Sequence, residues 1–425
     1  MRPILCILSF FLLLPAAGQQ CSGAGQDTWN TSPTVEEAAQ SANKDQRNVK
    51  HKWFKPRVDL RGRLEAYTGI NFIPGSDDIY YLSRLRLNAA IEARSWLRFF
   101  LEGQDSRVPG YGRSPVPGSV EDPFDFRQGY FELGSTENGS WGFRVGRQEL
   151  LFGNGRLIGN SNWGNVARTF DAACFTYKKN GIHLDAFTSS VVVPTNGGFD
   201  RPHFNNKFHG FYSSFSKLPA WSTANNVDTF FLVKTNSLAR SKLGAVGNLC
   251  ICTLGTRVIG KLPRDFDYRV EMAYQTGHVS RDPVRAWAGH WQLGYRPPFS
   301  HKSVRLAAEF NGASGDSNPH DGWHNTFDQL YPTSHDKLGT LDRIGWRNIR
   351  DLSAKMEWKP VEKWTLNVEY HDFWLATRQD YLYAKDGTTV LRNPNATSSR
   401  IGDEVDFYVA GWNDAESPRP NPQHH

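Results

Sequence analysis

The chain is short of methionine, cysteine and clustered charge. Only 3 of its 425 residues are methionine and 5 are cysteine, and charged residues make up 22%. Each shortage excludes something. No Lys/Arg block exceeds two residues and 43 acids nearly balance 49 basic residues, so the net charge of +6 does not mark a nucleic-acid tract. Once an N-terminal leader is set aside, Cys21, Cys174, Cys250 and Cys252 are too few to staple a domain of this length. Cys250-Ile251-Cys252 lacks the two-residue spacing of redox and zinc sites, leaving a loop disulfide or free thiols as the reading. No apolar run is long enough to cross a bilayer as a helix.

Aromatic residues and glycine are abundant instead: 14 Trp, 15 Tyr, 27 Phe and 38 Gly. That balance favours strands joined by many turns over helix. At the N-terminus, Arg2, the apolar stretch Ile4 to Leu14 and the small residues Pro15 to Gly18 read as a secretory signal peptide over residues 1–18. Gly18-Gln19-Gln20 before Cys21 is not a lipoprotein signal. A polar segment follows over 19–56.

From residue 57 to about 410 the hydropathy has a period of two. Val58, Leu60, Leu64 and Ala66 alternate with Arg57, Asp59, Arg61, Arg63 and Glu65; Tyr81, Leu85, Leu87, Ala89 and Ile91 alternate with Arg84, Arg86, Asn88 and Glu92. The same design recurs at Phe266 to Gln275, Val304 to Asn311, Leu352 to Lys359 and Trp364 to His371. One face is oily and the other densely charged with both signs. Marking every such run gives about sixteen strands of roughly 10 residues, the length a tilted strand needs to cross a bilayer. Short connections such as 94–95, 178–181, 262–265 and 360–363 alternate with long ones at 106–123, 151–168, 194–207, 237–250 and 313–348. Trp96, Trp141, Trp287, Trp291, Trp364, Phe373 and Trp374 stand near strand ends, where interfacial girdles need them. The predicted fold is all-β: a transmembrane antiparallel up-and-down β-barrel forming one domain over 57–410. A soluble sandwich also alternates, but its strands are nearer 5 or 6 residues and its polar face meets open water.

The charged face supplies the candidate site. Arg61, Arg63, Arg84, Arg86, Arg98, Arg144, Arg257, Arg269 and Arg305 are interleaved with Glu92, Glu102, Asp267, Glu271 and Glu309. A planar guanidinium fork suits carboxylates, and neighbouring acids keep any one arginine from trapping an anion. Alternation puts Arg144, Gly146 and Gln148 inward but Arg147 on the lipid side, which a β-bulge or a strand end would resolve. Arg156 lies in the Gly-rich stretch that follows. No catalytic constellation and no cofactor signature is present, and Asp316, Asn318 and Asp321 only loosely approach a calcium loop.

Longer words carry a family resemblance. Phe143-Arg144-Val145-Gly146-Arg147-Gln148-Glu149-Leu150-Leu151-Phe152-Gly153-Asn154-Gly155-Arg156, then Asn162-Trp163-Gly164-Asn165-Val166-Ala167-Arg168-Thr169-Phe170-Asp171, resemble the alginate export family of outer-membrane porins. So do Ser314-Gly315-Asp316, Thr326-Phe327-Asp328-Gln329-Leu330-Tyr331-Pro332, His335-Asp336, Gly345-Trp346-Arg347-Asn348, Tyr370-His371 and Asp380-Tyr381-Leu382-Tyr383. The resemblance, running from about Arg57 to Val409, implies an eighteen-stranded monomeric barrel in a Gram-negative-type outer membrane. It further implies passage of an anionic polysaccharide or organic anion through an Arg-lined pore, with outer-membrane lipid and a periplasmic export complex as partners. It places Arg147 in the family's most marked motif and adds that residue, with Arg156, to the pore set. Gly411 to His425 is Pro-rich and not amphipathic, so the last hairpin expected of the family is missing from the pattern and imperfect closure is expected. Other readings of the same residues are a diffusion porin for small organic anions, a secreted β-protein or an outer-membrane enzyme.

Overall fold

The structure, a computed structural model, describes residues 53–70, 73, 75–135, 140–219, 222–300 and 303–411, with Phe11–Leu13 and Cys21–Ser22. The rest of the expected signal peptide, most of the polar segment and the Pro-rich tail after Gly411 lie outside the described residues. Sixteen long strands make up the wall: β1 Phe54–Tyr67, β2 Asp78–Arg94, β3 Leu97–Arg107, β4 Asp122–Gly134, β5 Trp141–Gln148, β6 Phe170–Lys179, β7 Ile182–Val193, β8 Arg201–Phe215, β9 Ala224–Arg240, β10 Val246–Leu262, β11 Phe266–Val279, β12 Asp282–Tyr295, β13 Val304–Ala313, β14 Ile349–Val361, β15 Trp364–Leu375 and β16 Arg400–Gly411. Each pairs antiparallel with the next in sequence, and no α-helix occurs among the described residues.

Burial is inside out. Val58 is 59% exposed and Leu60 50%, whereas Arg63 on the opposite face of the same strand is 3% exposed. A wall with lipid outside makes that arrangement favourable, because the strand backbones pair with one another along the ladders and the apolar face needs no partner within the protein. Trp96, Trp141, Trp287 and Trp364 stand outward at the strand ends as interfacial aromatics would. Phe373 does not. It alternates with His371 and Leu375 on the inner face and is buried there, so its expected place in the girdle is wrong. Cys250 and Cys252 are free and share the outward face of β10, which excludes the loop disulfide for that pair.

Two-residue turns join β2 to β3, β6 to β7 and β14 to β15, while the opposite end carries residues 108–121, 149–169, 314–348 and 376–399. At that same end 194–200 and 241–245 are shorter than the alternation implied, because β8 and β10 begin earlier. The order of strands brings β16 round to β1. Fifteen junctions are antiparallel ladders, some with a local register shift, and Phe11–Leu13 pairs with the Arg61–Arg63 stretch of β1.

The barrel is not empty. Residues 149–169 and 314–348 fold inward and meet where Gly159 donates to the Tyr331 carbonyl at 2.8 Å and Tyr331 to the Leu157 carbonyl at 3.0 Å. A Cβ at Gly159 would sit 2.7 Å from the Thr333 backbone nitrogen, so only glycine lets the two loops close to this distance. Phe152, Ile158, Phe327, Tyr331 and Trp346 from the loops join Phe170, Phe208 and Phe230 from the wall in one apolar core. Burying each such aromatic contributes about 2 to 3 kcal/mol, so this core fixes the loops inside the barrel.

Candidate pore and its loop latch

The arginines of β1 and β2 converge on one loop. Arg61 donates through Nη1 to the Asn162 carbonyl at 3.0 Å and through Nη2 to the Gly164 carbonyl at 2.8 Å. Arg84, directly opposite Arg61 in the ladder, donates to the Asn162 carbonyl at 3.0 Å and to its side-chain oxygen at 3.1 Å. Arg86 reaches that side-chain oxygen at 2.9 Å, and Arg63 the Trp163 carbonyl at 2.7 Å. Arg63 also stacks over the Trp163 ring at 4.3 Å and pairs with Glu65 at 2.6 Å. Trp163 in turn lies flat on His335 of the second loop, with ring centroids 3.8 Å apart. Four cations this close repel one another, and the carbonyl dipoles of 162–164 offset that repulsion as an anion would.

The other sequence candidates form ion pairs across the ladders. Arg98 and Arg144 share Glu132, at 3.0 and 2.6 Å. Arg257 pairs with Asp228 at 2.8 Å and lies 4.0 Å from Glu271, while Arg305 and Arg296 share Asp267. Arg269 is buried on the lumen face of β11, between Ile259 and Gln292 of the neighbouring strands. Glu102 accepts from Arg127, which also bonds Glu149 at the start of the first inserted loop. Arg156 reaches over the Trp346 ring at 5.2 Å and lies 3.6 Å from Glu309, while its Nε and Nη1 are buried without a hydrogen bond. Glu309 is further ringed by Lys355 at 3.3 Å.

Two candidates lie outside these clusters. Glu92 is near the short-turn end of β2, partly exposed, and bonds Lys55 at 2.6 Å. Arg147 faces outward near the long-loop end of β5 and forms a 2.8 Å pair with Asp171 directly opposite on β6. The ladder there has no bulge, so the strand end accounts for Arg147 and keeps its charge near the interface. The motif glycine beside it has a different reason: at Gly146, with φ of 131°, a Cβ would lie 2.2 Å from the Gly129 carbonyl oxygen of β4.

Several groups escaped the sequence reading. Arg127 falls just after Asp125, where the ladder with β3 is irregular and strict alternation loses count. Arg168 donates to the Gly159 and Pro332 carbonyls at 3.0 and 2.8 Å, tying both loops, and burial pulls its guanidinium down to about 10. Asn162 lies within a recognised motif, but nothing in the string says that a loop residue turns into the lumen. In the second loop Asp328 is held by Lys234 at 2.9 Å; burial works to raise its carboxyl, and Lys234 brings it below its ordinary value. The loosely calcium-like stretch is something else: Asp316 is buried against Lys242 and Asp380, and Asp321 is exposed.

The inside-out wall, the charged lumen and the loops folded into it define an outer-membrane β-barrel of the porin class. The profile of the alginate export family matches residues 53–419, and the chain belongs to that family. No curated protein matches the sequence. Among solved structures, a BenF-like porin from Pseudomonas fluorescens Pf-5 superposes with a TM-score of 0.53 at 11% identity, covering 84% of this chain and 99% of that one. Pseudomonas aeruginosa OccK8 (OprE) gives 0.50 at 13% identity, covering 76% and 84%. At such identity they show a shared fold, and the outer-membrane location rests on the family; among the described residues the wall has sixteen strands, where the resemblance implied eighteen.

Proposed function

We propose that this chain is an anion-selective channel that passes an acidic polysaccharide or another organic anion, and that the loop 149–169 stands where that anion would bind. One observation carries the reading: Arg61 and Arg84 direct their hydrogen bonds to backbone carbonyls and an amide oxygen of Asn162 to Gly164. A carboxylate adds a full negative charge and a bidentate fork to what a neutral oxygen offers a guanidinium. A polyuronate, with one carboxylate per sugar, therefore competes with the loop for the same forks and displaces it. The flanking acids Asp59, Glu65 and Glu102 limit how long any one sugar stays.

Transport on this reading needs no bond-making residue, and the chain acts as a channel rather than as an enzyme. The leader at 1–18 directs export and is removed by cleavage. The test is electrical. The full chain, reconstituted in planar bilayers, is expected to show anion selectivity and a conductance reduced by oligouronates in a length-dependent way, neutral oligosaccharides of equal length having little effect. Equal block by the neutral series would refute the acidic substrate, cation selectivity would refute the anion-selective pore, and absence of conductance would refute the channel reading itself.

A further inference from the structure

At the long-loop end, outside the arginine cluster, three carboxylates meet, and no lysine, arginine or histidine pairs with them among the described residues. Asp122 and Asp125 come from the start of β4 and Asp200 from the end of the 194–200 connection, and one oxygen of each lies within 4.8 Å of the others. Alternation would put Asp122 and Asp125 on opposite faces. The irregular pairing of β4 with β3, between Gln104 and Ser106, turns both inward, and bulges of this kind commonly re-aim side chains beside sites. Asp125 holds the loop by accepting from the Asp200 backbone nitrogen, and Asp200 accepts from the Thr195 nitrogen at 2.8 Å.

The independent observation is Asp122. It is 2% exposed, and its Oδ1 makes no hydrogen bond. An ionised carboxylate oxygen in that position costs several kcal/mol unless a cation meets it. The basic side chains nearby are committed elsewhere: Arg107 to Asp105 at 2.6 Å and Arg147 to Asp171 at 2.8 Å. Nearly every other buried carboxylate of the lumen described above has an arginine, lysine or histidine against it.

We infer that Asp122, Asp125 and Asp200 form a site for a hard divalent cation, calcium by the chemistry of its ligands, that fastens the 194–200 loop to the barrel rim. All three donors are oxygen, with neither histidine nor thiolate among them, which favours calcium over zinc or copper. Three carboxylates leave positions for water in a six- to eight-coordinate shell. Asn196 of the same loop bonds Glu121 at 3.3 Å, so fastening 194–200 also steadies the 108–121 loop beside it.

The test uses the full chain folded in detergent, with calcium chloride as the probe. Titration calorimetry should show one calcium per chain with half-saturation at about 0.1 to 1 mM, the range of extracellular calcium sites. Cleavage by chymotrypsin after Phe199 should slow at least tenfold at saturation. Asp122→Asn should lose both effects while keeping the heat-modifiable barrel, and Asp316→Asn should keep both. If Asp122→Asn does not fold, Asp200→Asn, which alters only the loop, should give the same loss. Absence of a calcium effect in the wild-type chain, its survival in both Asn variants, or tighter binding of zinc than of calcium would each overturn the assignment.

Discussion

Replacing Arg61 with glutamine isolates the latch from the wall. The side chain makes two hydrogen bonds to the 149–169 loop, at 3.0 and 2.8 Å, and faces Arg84 across the ladder. Hydrogen bonds to a charged group contribute about 1.5 to 3 kcal/mol each, and glutamine can replace at most one of them without the charge. Relief of the Arg61–Arg84 repulsion returns part of the loss, so the loop should be released by roughly 2 kcal/mol, or about 25-fold in its released-to-seated ratio. Single-channel recording should show a corresponding rise in open probability, with unit conductance of the open state little changed. Arg84→Gln should behave alike. A control comes from Ser106, whose hydroxyl donates to the Asn165 carbonyl at 3.0 Å: a Ser106→Cys, Asn165→Cys disulfide, in a background lacking the native thiols, should abolish the gain. Unchanged open probability in both Gln variants would mean that the apolar core alone holds the loop and that the arginines do not act as a latch.

Three further outcomes follow from the same geometry. Arg84→Glu combined with Arg86→Glu should shift the reversal potential toward cations; an unchanged potential would remove β2 from the selectivity-determining region. Arg147→Ala should leave selectivity untouched and lower heat-modifiable barrel yield, and Asp171→Ala should do the same; a selectivity change would contradict its outward placement. Acid should loosen the second loop. Asp328, Asp342 and Asp380 are raised by burial but brought net below their ordinary values, chiefly by Lys234, His335 and Lys242 respectively. Their contribution is present above the unfolded carboxyl range near 4 and is lost as pH falls through the folded values. Conductance should therefore rise reversibly below about pH 4; a rise already complete at pH 6 would point to another group.

The wall was legible because a membrane strand writes its burial into every second residue. Val58 to Glu65 and Trp364 to His371 could be oriented from the string alone, and turns such as Ser95-Trp96 announce themselves by the break in alternation. What failed did so where a residue's surroundings come from elsewhere in the chain. Phe373 continues the inner face of β15, and only the aromatic loops folded against it make phenylalanine acceptable there. Arg127 was hidden by an irregularity in β4 that shifts the count. Among the arginines, position gave the inner face correctly for Arg61, Arg84, Arg144 and Arg257, yet it could not separate those facing a carbonyl loop from those sharing an acid. That difference depends on where residues 149–169 travel, and neither periodicity nor composition encodes the path of a loop.

With sixteen strands among the described residues, β1 begins and β16 finishes on the same side, the side of the short turns. The unit that can be added or removed without turning either end through the membrane is a hairpin, never a single strand. A sixteen-stranded and an eighteen-stranded wall therefore differ by one such unit, and the β16–β1 junction, where the first and last strands of the sheet meet, is a place where it can enter. A hairpin added or removed at that junction changes the circumference while the arginine cluster, the inserted loops and the rim carboxylates keep their contacts with one another.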